Sequence, residues 1–441
     1  MAHDNELRFP QNFTFGVATA AYQVEGHIEN DWSDWERQGK CKNPQHRCGR
    51  GVDHWNRFDE DVKLAGDVGC TAFRMSLEWA RIEPVRGRFD ENAIAEYRSK
   101  LQRMKAAGIR PVVTLHHFTH PSWFAKETPW HQPESVAAFR RYAKVCAEIV
   151  KGLDAMIVTF NEPMVLLLGG YISGFIPPGI ADGGKAMLAL GNIGRSHVAA
   201  REEILSHCGK TEIGISQNVL VFAPDRAWHP LDRAITRMAA DNYNHAFIRA
   251  LTEGDLRVFM PGLATTKQKI DGAKDSLDFV GINYYTRAHL RFIPKPPFVQ
   301  FNYRDVHGRG LTHIGWEDYP EGFLQMMLEV NKHHGLPMWI TENGIDDRDG
   351  NRRPSYLHSH WKQVLTAMKQ GVDLRGYLYW SLMDNFEWLD GWGPRFGLYH
   401  VDFETLERKK TPACDYFKEV ATTKVLSEPG VKFEPPLMKA S

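Results

Sequence analysis

Residues 157–163 read Ile157-Val158-Thr159-Phe160-Asn161-Glu162-Pro163, a short apolar run that ends in an amide, a carboxylate and a proline. Its length and its β-branched residues predict a strand that is buried on both faces. The stretch Met338-Trp339-Ile340-Thr341-Glu342-Asn343-Gly344 repeats this arrangement later in the chain. The sequence therefore predicts two strands that each deliver a glutamate, and two such glutamates facing one cavity would form a catalytic pair.

Eight runs of this kind can be found along the chain, and each ends in polar residues. They lie at residues 15–18, 72–76, 110–115, 157–160, 212–216, 277–282, 338–341 and 374–379. Predicted helices lie between them, for example from the N-cap Asp90 to Gly108, from near Pro133 to Gly152, and from near Pro354 to Gly371. Alternating apolar strands and helices predict a parallel sheet, and eight such units close into a (β/α)8 TIM barrel.

An open, doubly wound sheet is the alternative fold for this alternation of strands and helices. It would need a glycine-rich phosphate turn after the first strand, and residues 18–23, Ala-Thr-Ala-Ala-Tyr-Gln, do not provide one. The long connections at 19–71, 164–210 and 285–337 are expected to decorate the barrel mouth. We expect residues 1–441 to form a single domain, with a loosely attached tail at about 425–441.

The charge balance limits the possible partners. Lysine plus arginine and aspartate plus glutamate both number 54, so the net charge is zero, which argues against nucleic acid or an anionic membrane as a partner.

The N-terminus lacks a signal-peptide pattern, and no apolar run approaches the roughly 18 residues of a membrane helix. We therefore expect a cytoplasmic protein. The sequence leaves the oligomeric state open.

The chain has six cysteines, too few for a disulfide scaffold at this length. Cys41 and Cys48 bracket His46 and could hold zinc or form a disulfide. The spacing matches no standard metal site, so an ordinary polar loop is the favoured interpretation.

Polar and aromatic side chains follow the predicted strands, and in a parallel barrel all strand C-termini open on one face. The residues at these ends include Gln23, Arg74, His116, His117, Asn161, Glu162, Asn283, Tyr285, Glu342, Trp380, Asp384, Asn385, Glu387 and Trp388. Taken singly, each has a structural explanation as a cap, an ion-pair partner or a core residue. Taken together they suit a sugar, because its hydroxyls need hydrogen bonds and its C–H faces stack on aromatic rings.

Cleavage of a glycosidic bond needs one carboxylic acid to protonate the departing oxygen and one carboxylate on the opposite face of the ring. A separation of about 5 to 5.5 Å between the two groups gives retention of configuration, whereas about 6.5 to 9.5 Å admits a water and gives inversion. Sequence spacing does not determine this separation.

The same residues resemble glycoside hydrolase family 1, the β-glucosidase and β-galactosidase family, from about Phe9 to Val420. Four motifs carry the resemblance. They are residues 15–26 (Phe-Gly-Val-Ala-Thr-Ala-Ala-Tyr-Gln-Val-Glu-Gly), 159–163 (Thr-Phe-Asn-Glu-Pro), 341–344 (Thr-Glu-Asn-Gly) and 380–388 (Trp-Ser-Leu-Met-Asp-Asn-Phe-Glu-Trp). Their order and separation make the match specific.

The resemblance implies a (β/α)8 barrel and a retaining double displacement, with Glu162 as general acid and base and Glu342 as nucleophile. It places Arg74, Asn283 and Tyr285 around the nucleophile, Trp380 as the sugar platform and Trp316 on the aglycone side. It makes the remaining site residues contacts to sugar hydroxyls, namely Gln23, His117, Asn161, Glu387 and Trp388. No metal or organic cofactor is implied.

These roles lead to two expectations about pKa values. Glu342 must be ionised to attack, so Arg74 and a hydrogen bond from Tyr285 should hold its pKa down. Glu162 must start protonated, which the charge of Glu342 promotes until that carboxylate is esterified.

One motif departs from the family. After the third strand the chain reads Phe118-Thr119-His120, where the family usually has tryptophan, aspartate and leucine. The indole hydrogen bond to a sugar hydroxyl is therefore missing, which bears on substrate preference. Glu162 argues against a thioglucosidase, whose acid is replaced by glutamine, and the Glu387 carboxylate argues against a 6-phosphoglycosidase.

The predicted activity is exo-hydrolysis of terminal β-D-glucosyl residues, with galactosyl and fucosyl residues also accepted. The predicted partners are small β-glycosides or short oligosaccharides. A transglycosylating enzyme and a catalytically silent sugar-binding barrel are the alternatives, and both Glu162 and Glu342 argue against the silent barrel.

Overall fold

The computed structural model describes residues 7–295 and 298–430, and within them eight parallel strands close into a barrel. Numbered in chain order, these are β1 (Thr14–Ala18), β2 (Ala72–Ser76), β3 (Arg110–His116), β4 (Met156–Asn161), β5 (Ile213–Asn218), β6 (Phe279–Asn283), β7 (Met338–Asn343) and β8 (Leu374–Trp380). Each strand pairs with its neighbour in sequence, and β8 pairs with β1 to close the circle. The predicted (β/α)8 fold is confirmed.

One helix after each strand covers the outside of the barrel. These are α1 (His54–Asp67), α2 (Glu91–Ala106), α3 (Glu134–Val150), α4 (Gly183–Cys208), α5 (Ala246–Glu253), α6 (Pro320–His334), α7 (Arg353–Lys369) and α8 (Pro412–Thr423). The predicted cap of α2 is present, because the Asp90 carboxylate accepts hydrogen bonds from the N–H groups of Asn92 and Ala93.

The connections between the barrel strands and helices carry shorter elements. Helices lie at Ala21–Glu25, Asp31–Arg37, Trp79–Ile82, Ser122–Glu127, Pro163–Leu166 and Pro230–Ala240, with π-helical turns at Leu167–Ile172 and Asp241–His245 and a 3₁₀ turn at Trp388–Asp390. Additional strands lie at Val221–Pro224, Asp255–Met260, Ala264–Lys269, Arg287–Phe292, Val299–Asn302, Tyr399–Val401 and Arg408–Lys410. Of the three long connections predicted to decorate the barrel mouth, each contains some of these elements within its described residues.

A cluster of buried apolar side chains, most of them on barrel strands, fills the floor of the barrel. The cluster comprises Ala18, Ala20, Ala72, Val112, Met156, Val158, Phe279, Trp339, Leu378, Trp380 and Phe396. Trp339 fits there because Gly376 has no side chain, and a Cβ on Gly376 would lie 2.2 Å from the indole. The filled floor leaves the polar C-terminal ends of the strands as the base of an open cavity.

The two ends of the described chain meet. The Leu426 N–H donates to the Leu7 carbonyl at 2.8 Å, and the Lys424 ammonium donates to the Phe13 carbonyl at 2.9 Å. Residues 431–441, most of the predicted tail, lie outside the described residues.

Among the helices that the structure describes, none is long and apolar enough to cross a membrane.

Candidate active site

A cavity of about 800 Å³ opens at the C-terminal ends of the barrel strands. Nine of the predicted site residues line it, namely His117, Asn161, Glu162, Tyr285, Trp316, Glu342, Trp380, Glu387 and Trp388. The other three, Gln23, Arg74 and Asn283, are fully buried behind this lining and hydrogen-bond to it. The structure therefore brings all twelve predicted residues together.

Glu162 directly follows β4 and has a left-handed backbone conformation, with φ 46° and ψ 56°. This conformation is uncommon for a residue with a side chain and is typical of functional positions. The Glu162 N–H donates to the Ser216 carbonyl at 2.7 Å, and Pro163 starts a short helix immediately afterwards. The turn aims the Glu162 carboxyl group into the cavity.

The surroundings of Glu162 favour its protonated form. Burial, and next the negative charge of Glu342, raise the pKa of Glu162 to about 8. Two amide donors oppose this rise, because Asn283 and Asn218 donate to Glu162 Oε1 at 2.8 and 3.2 Å. At neutral pH the group can therefore act as a proton donor.

Glu342, at the end of β7, has two close donors. Arg74 Nη1 donates to its Oε1 at 2.6 Å, and the Tyr285 hydroxyl donates to its Oε2 at 2.6 Å. Two residues later, Gly344 lies against the backbone of Trp380. A side chain does not fit there, because a Cβ at Gly344 would lie 1.8 Å from the Trp380 carbonyl oxygen. The glutamate is held by contacts that stabilise a carboxylate.

The pKa of Glu342 differs from the sequence prediction. Burial raises it above its ordinary value, and the Arg74 charge and the Tyr285 and Asn283 hydrogen bonds offset this only in part. The prediction of a depressed pKa is therefore wrong in sign, because the sequence does not reveal how completely the group is buried. Glu162 has no direct cationic donor among its hydrogen-bond partners, so Glu342 is the group that ionises first.

One amide links the two carboxyl groups. The Asn283 carboxamide donates to Glu162 at 2.8 Å and lies near enough to Glu342 to lower the pKa of that group as well. Asn161 Oδ1 accepts from both Asn283 and Arg74, at 3.0 and 2.7 Å. Asn283 therefore lies beside both carboxyl groups and contributes to the electrostatics of each.

Two buried polar atoms are suited to a sugar hydroxyl. Gln23 donates to Glu387 Oε2 at 3.2 Å, and Asn161 pairs with His117 Nε2 at 3.1 Å. Among the described residues, Gln23 Oε1 and His117 Nδ1 are buried without a hydrogen-bond partner. Buried polar atoms are normally paired, so these two are candidates for contact with substrate.

Aromatic rings form two walls of the cavity. His117 stacks near Trp380 and Trp388, with ring centroids 5.9 and 6.1 Å apart. Trp316 packs against Tyr285 at 5.3 Å. These flat surfaces provide stacking area for a sugar ring and for an apolar aglycone.

The residues that depart from the family face different environments. Phe118 lines the cavity and meets Trp388 edge-on, with centroids 5.2 Å apart. Thr119 donates to Glu78 at 2.8 Å, and the His120 N–H donates to Asp31 at 2.9 Å, both in buried positions. Only the first of the three changes touches the cavity.

Two further residues support Glu162, one directly and one through the other, but were not predicted as site residues. Asn218 ends β5 and contacts Glu162, and the Tyr243 hydroxyl donates to Asn218 Oδ1 at 2.7 Å. The polar end of the fifth strand was a usable signal for Asn218. Tyr243 lies in the π-helical turn Asp241–His245, which no sequence pattern predicts.

Cys41 and Cys48, near the mouth of the cavity, are not joined by a disulfide. Cys41 and Cys48 are buried free thiols. Cys48 Sγ donates to the Tyr22 carbonyl at 2.9 Å, and its N–H donates to Glu36. Within residues 7–295 and 298–430, neither His46 nor these thiols belong to a group of side chains close enough to share a metal ion.

Comparison with known proteins agrees with this geometry. The chain matches Glycosyl hydrolase family 1 over residues 5–426. Beta-glucosidase A of Thermotoga maritima is 32% identical, with 92% of this chain and 95% of that protein covered, and the beta-galactosidase of Pyrococcus woesei is 29% identical, with 93% and 96% covered. The structure of a beta-glycosidase from Pyrococcus horikoshii superposes with a TM-score of 0.88 at 33% identity, covering 97% of each chain. With its barrel, its cavity and its two glutamates, this chain belongs to glycosyl hydrolase family 1 and is an O-glycoside hydrolase.

Proposed function

We propose that the chain is a retaining exo-β-glycosidase in which Glu342 is the nucleophile and Glu162 the general acid and base. The observation that carries this assignment is the contrast between the two buried carboxyl groups. Arg74 and Tyr285 donate to Glu342 at 2.6 Å each, whereas Glu162 accepts only from neutral amides. Two carboxyl groups in such different surroundings are suited to opposite protonation states.

In the first step, a Glu342 oxygen attacks the anomeric carbon while the bond to the aglycone oxygen breaks. Glu162 gives its proton to that oxygen, so the aglycone leaves as a neutral alcohol. A covalent α-glycosyl ester on Glu342 results. Arg74 and Tyr285 position the attacking carboxylate.

In the second step, water replaces Glu342 at the anomeric carbon. The esterified Glu342 has lost its negative charge, which was the second largest cause of the raised pKa of Glu162. Glu162 is now ionised and accepts a proton from the attacking water. Two inversions give a sugar of retained β configuration.

The substrates we propose are small β-glycosides with a terminal glucosyl, galactosyl or fucosyl unit. The names of the relatives support the first two, because one is a beta-glucosidase and another a beta-galactosidase. Buried polar residues would hold the sugar, and the outer wall, which includes Leu168, Phe175 and Phe301, would accept varied apolar aglycones. Transglycosylation and a cytoplasmic location stay predictions.

The experiment follows the sugar released from a panel of aryl β-glycosides, comprising the glucoside, galactoside, fucoside, mannoside and 6-phosphoglucoside. Proton NMR of the fastest substrate should show the β anomer first, before mutarotation. An α anomer as first product would contradict retention. Absence of turnover on the whole panel would contradict the proposed substrate class and favour the silent barrel.

A further inference from the structure

His245, Glu329 and His333 form a cluster outside the active-site lining. One potential ligand atom from each lies within 4.8 Å of the other two. We propose that these three side chains bind a divalent transition-metal ion, Zn²⁺ in the first instance, that clamps α6 to the segment leading into α5.

Two separate elements supply the ligands. Glu329 and His333 are four residues apart on α6, so they lie on the same face of that helix. His245 is the last residue of the π-helical turn Asp241–His245. A bound ion would therefore join the last turns of α6 to a turn that is distant in sequence.

The chemistry of the three ligands fits zinc. Two imidazole nitrogens and one carboxylate oxygen are a recurrent zinc ligand set, with a water in the fourth position. At bond lengths of about 2.0 to 2.2 Å, tetrahedral ligand atoms lie about 3.3 Å apart. His245 Nε2 and Glu329 Oε1 are 2.9 Å apart, and the His245 and His333 ring centroids are 4.5 Å apart. An ion could replace the existing hydrogen bond with small side-chain movements.

A fourth residue is placed to orient the buried ligand. His245 Nδ1 lies 3.2 Å from His334 Nε2. When Nδ1–H donates to His334, Nε2 of His245 keeps its lone pair for a metal. Metal-binding histidines commonly donate their second ring N–H to a neighbouring acceptor, and here that acceptor would be the His334 imidazole.

The site is open on one side. His245 is almost fully buried, Glu329 is 29% exposed, and His333 is exposed. An ion can therefore enter from solvent and meet a ligand that is already fixed. Arg249, a nearby positive charge, is paired with Asp241 at 3.1 Å.

The clamp would act on the same turn that supports the active site. Tyr243 lies two residues before His245, and its hydroxyl binds Asn218, which contacts Glu162. The main expected effect is on stability, because the ion would bind the folded protein and not an arrangement present in the unfolded chain. No step of the proposed double displacement is assigned to this ion.

The test titrates Zn²⁺ into the metal-stripped full chain by isothermal titration calorimetry. The wild type should bind one ion in this cluster. His333→Ala and Glu329→Gln should each bind it at least tenfold more weakly, whereas Lys332→Ala, a control on the same exposed turn, should bind it as the wild type does. At about a hundredfold excess over Kd, Zn²⁺ should raise the Tm of the wild type and the control by about 3 °C, and that of the two variants by much less.

Circular dichroism checks that the variants are folded. Two results would overturn the proposal. One is the absence of stoichiometric Zn²⁺ binding to the wild type. The other is wild-type affinity in either ligand variant, since the ion would then be held elsewhere, for example near Cys41 and His46. Because the readouts are binding and Tm, the result is independent of the proposed catalytic roles.

Discussion

Arg74 and Glu342 form an ion pair of 2.6 Å in which the arginine side chain is 0% and the glutamate side chain 5% exposed. Removing one partner of a buried pair leaves an unpaired charge and costs about 3 to 5 kcal/mol. Substituting Arg74 would therefore disturb folding and chemistry together. The hydroxyl of Tyr285, which contacts the other oxygen of Glu342, is the better probe of how the nucleophile is held.

Tyr285→Phe should lower kcat/KM by about 10- to 100-fold, because it removes a hydrogen bond to a charged group. The hydroxyl lowers the pKa of Glu342, so its loss should raise that pKa and move the acidic limb of the kcat/KM profile to higher pH. Tyr243→Phe is the matched control, because its hydroxyl contacts Asn218 and not Glu342. An acidic limb that moves equally in both variants would contradict the role of Tyr285.

Glu162→Ala should affect substrates according to their leaving groups. Protonation by a positioned acid is worth about 10²- to 10⁴-fold in rate, and only poor leaving groups need it. The measurement is kcat/KM for aryl β-glycosides of graded phenol acidity, together with an alkyl glycoside. The basic limb near pH 8, which reports deprotonation of Glu162, should also disappear. Equal losses for good and poor leaving groups would show that Glu162 is not the acid.

Asn218→Ala should shift the basic limb of the kcat/KM profile to higher pH. The Asn218 amide donates to Glu162 and lowers its pKa, so the variant should keep Glu162 protonated to higher pH. We expect an upward shift of up to about one pH unit in the kcat/KM profile. A downward shift would mean that the amide stabilises the protonated acid instead.

Phe118→Trp tests whether the departure from the family pattern sets substrate preference. Phe118 lines the cavity, and an indole N–H at this place could donate to a sugar hydroxyl. One neutral hydrogen bond is worth about 1 kcal/mol, so kcat/KM should rise about fivefold for a substrate that has this hydroxyl. Phe118→Leu, which adds no donor, should give no rise. A series of deoxy analogues, each lacking one ring hydroxyl, provides the check. The idea fails if Phe118→Trp raises kcat/KM for every analogue as much as for the parent glycoside.

The barrel could be predicted because a parallel strand that is buried on both faces leaves an apolar run in the sequence. All eight barrel strands lie where such runs occur, although the sixth begins at Phe279 and not at Leu277. The site could be predicted because polar residues end these runs. In a closed barrel, strand ends that are distant in sequence meet on one face, so Arg74 reaches Glu342 across the barrel.

The parts that were missed depend on quantities that no local pattern records. The net pKa shift of Glu342 depends on how deeply the whole fold buries it. Gln217 and Asn218 are both polar, and only the register of β5 decides that Asn218 reaches Glu162. Tyr243 comes from a loop insertion, where the π-helical turn follows no hydrophobic period. Burial, register and loop geometry are properties of the folded chain.

The most direct test of the central claim uses Glu342→Ala with an aryl β-glycoside and sodium azide. Without azide, we expect kcat to fall by about 10⁴-fold or more, since no carboxylate is left to attack. With azide, the small anion can enter the space of the lost side chain, and aryl release should return with the α-glycosyl azide as product. Substantial hydrolysis by the variant without azide, or a β-glycosyl azide as the product, would contradict Glu342 as the nucleophile.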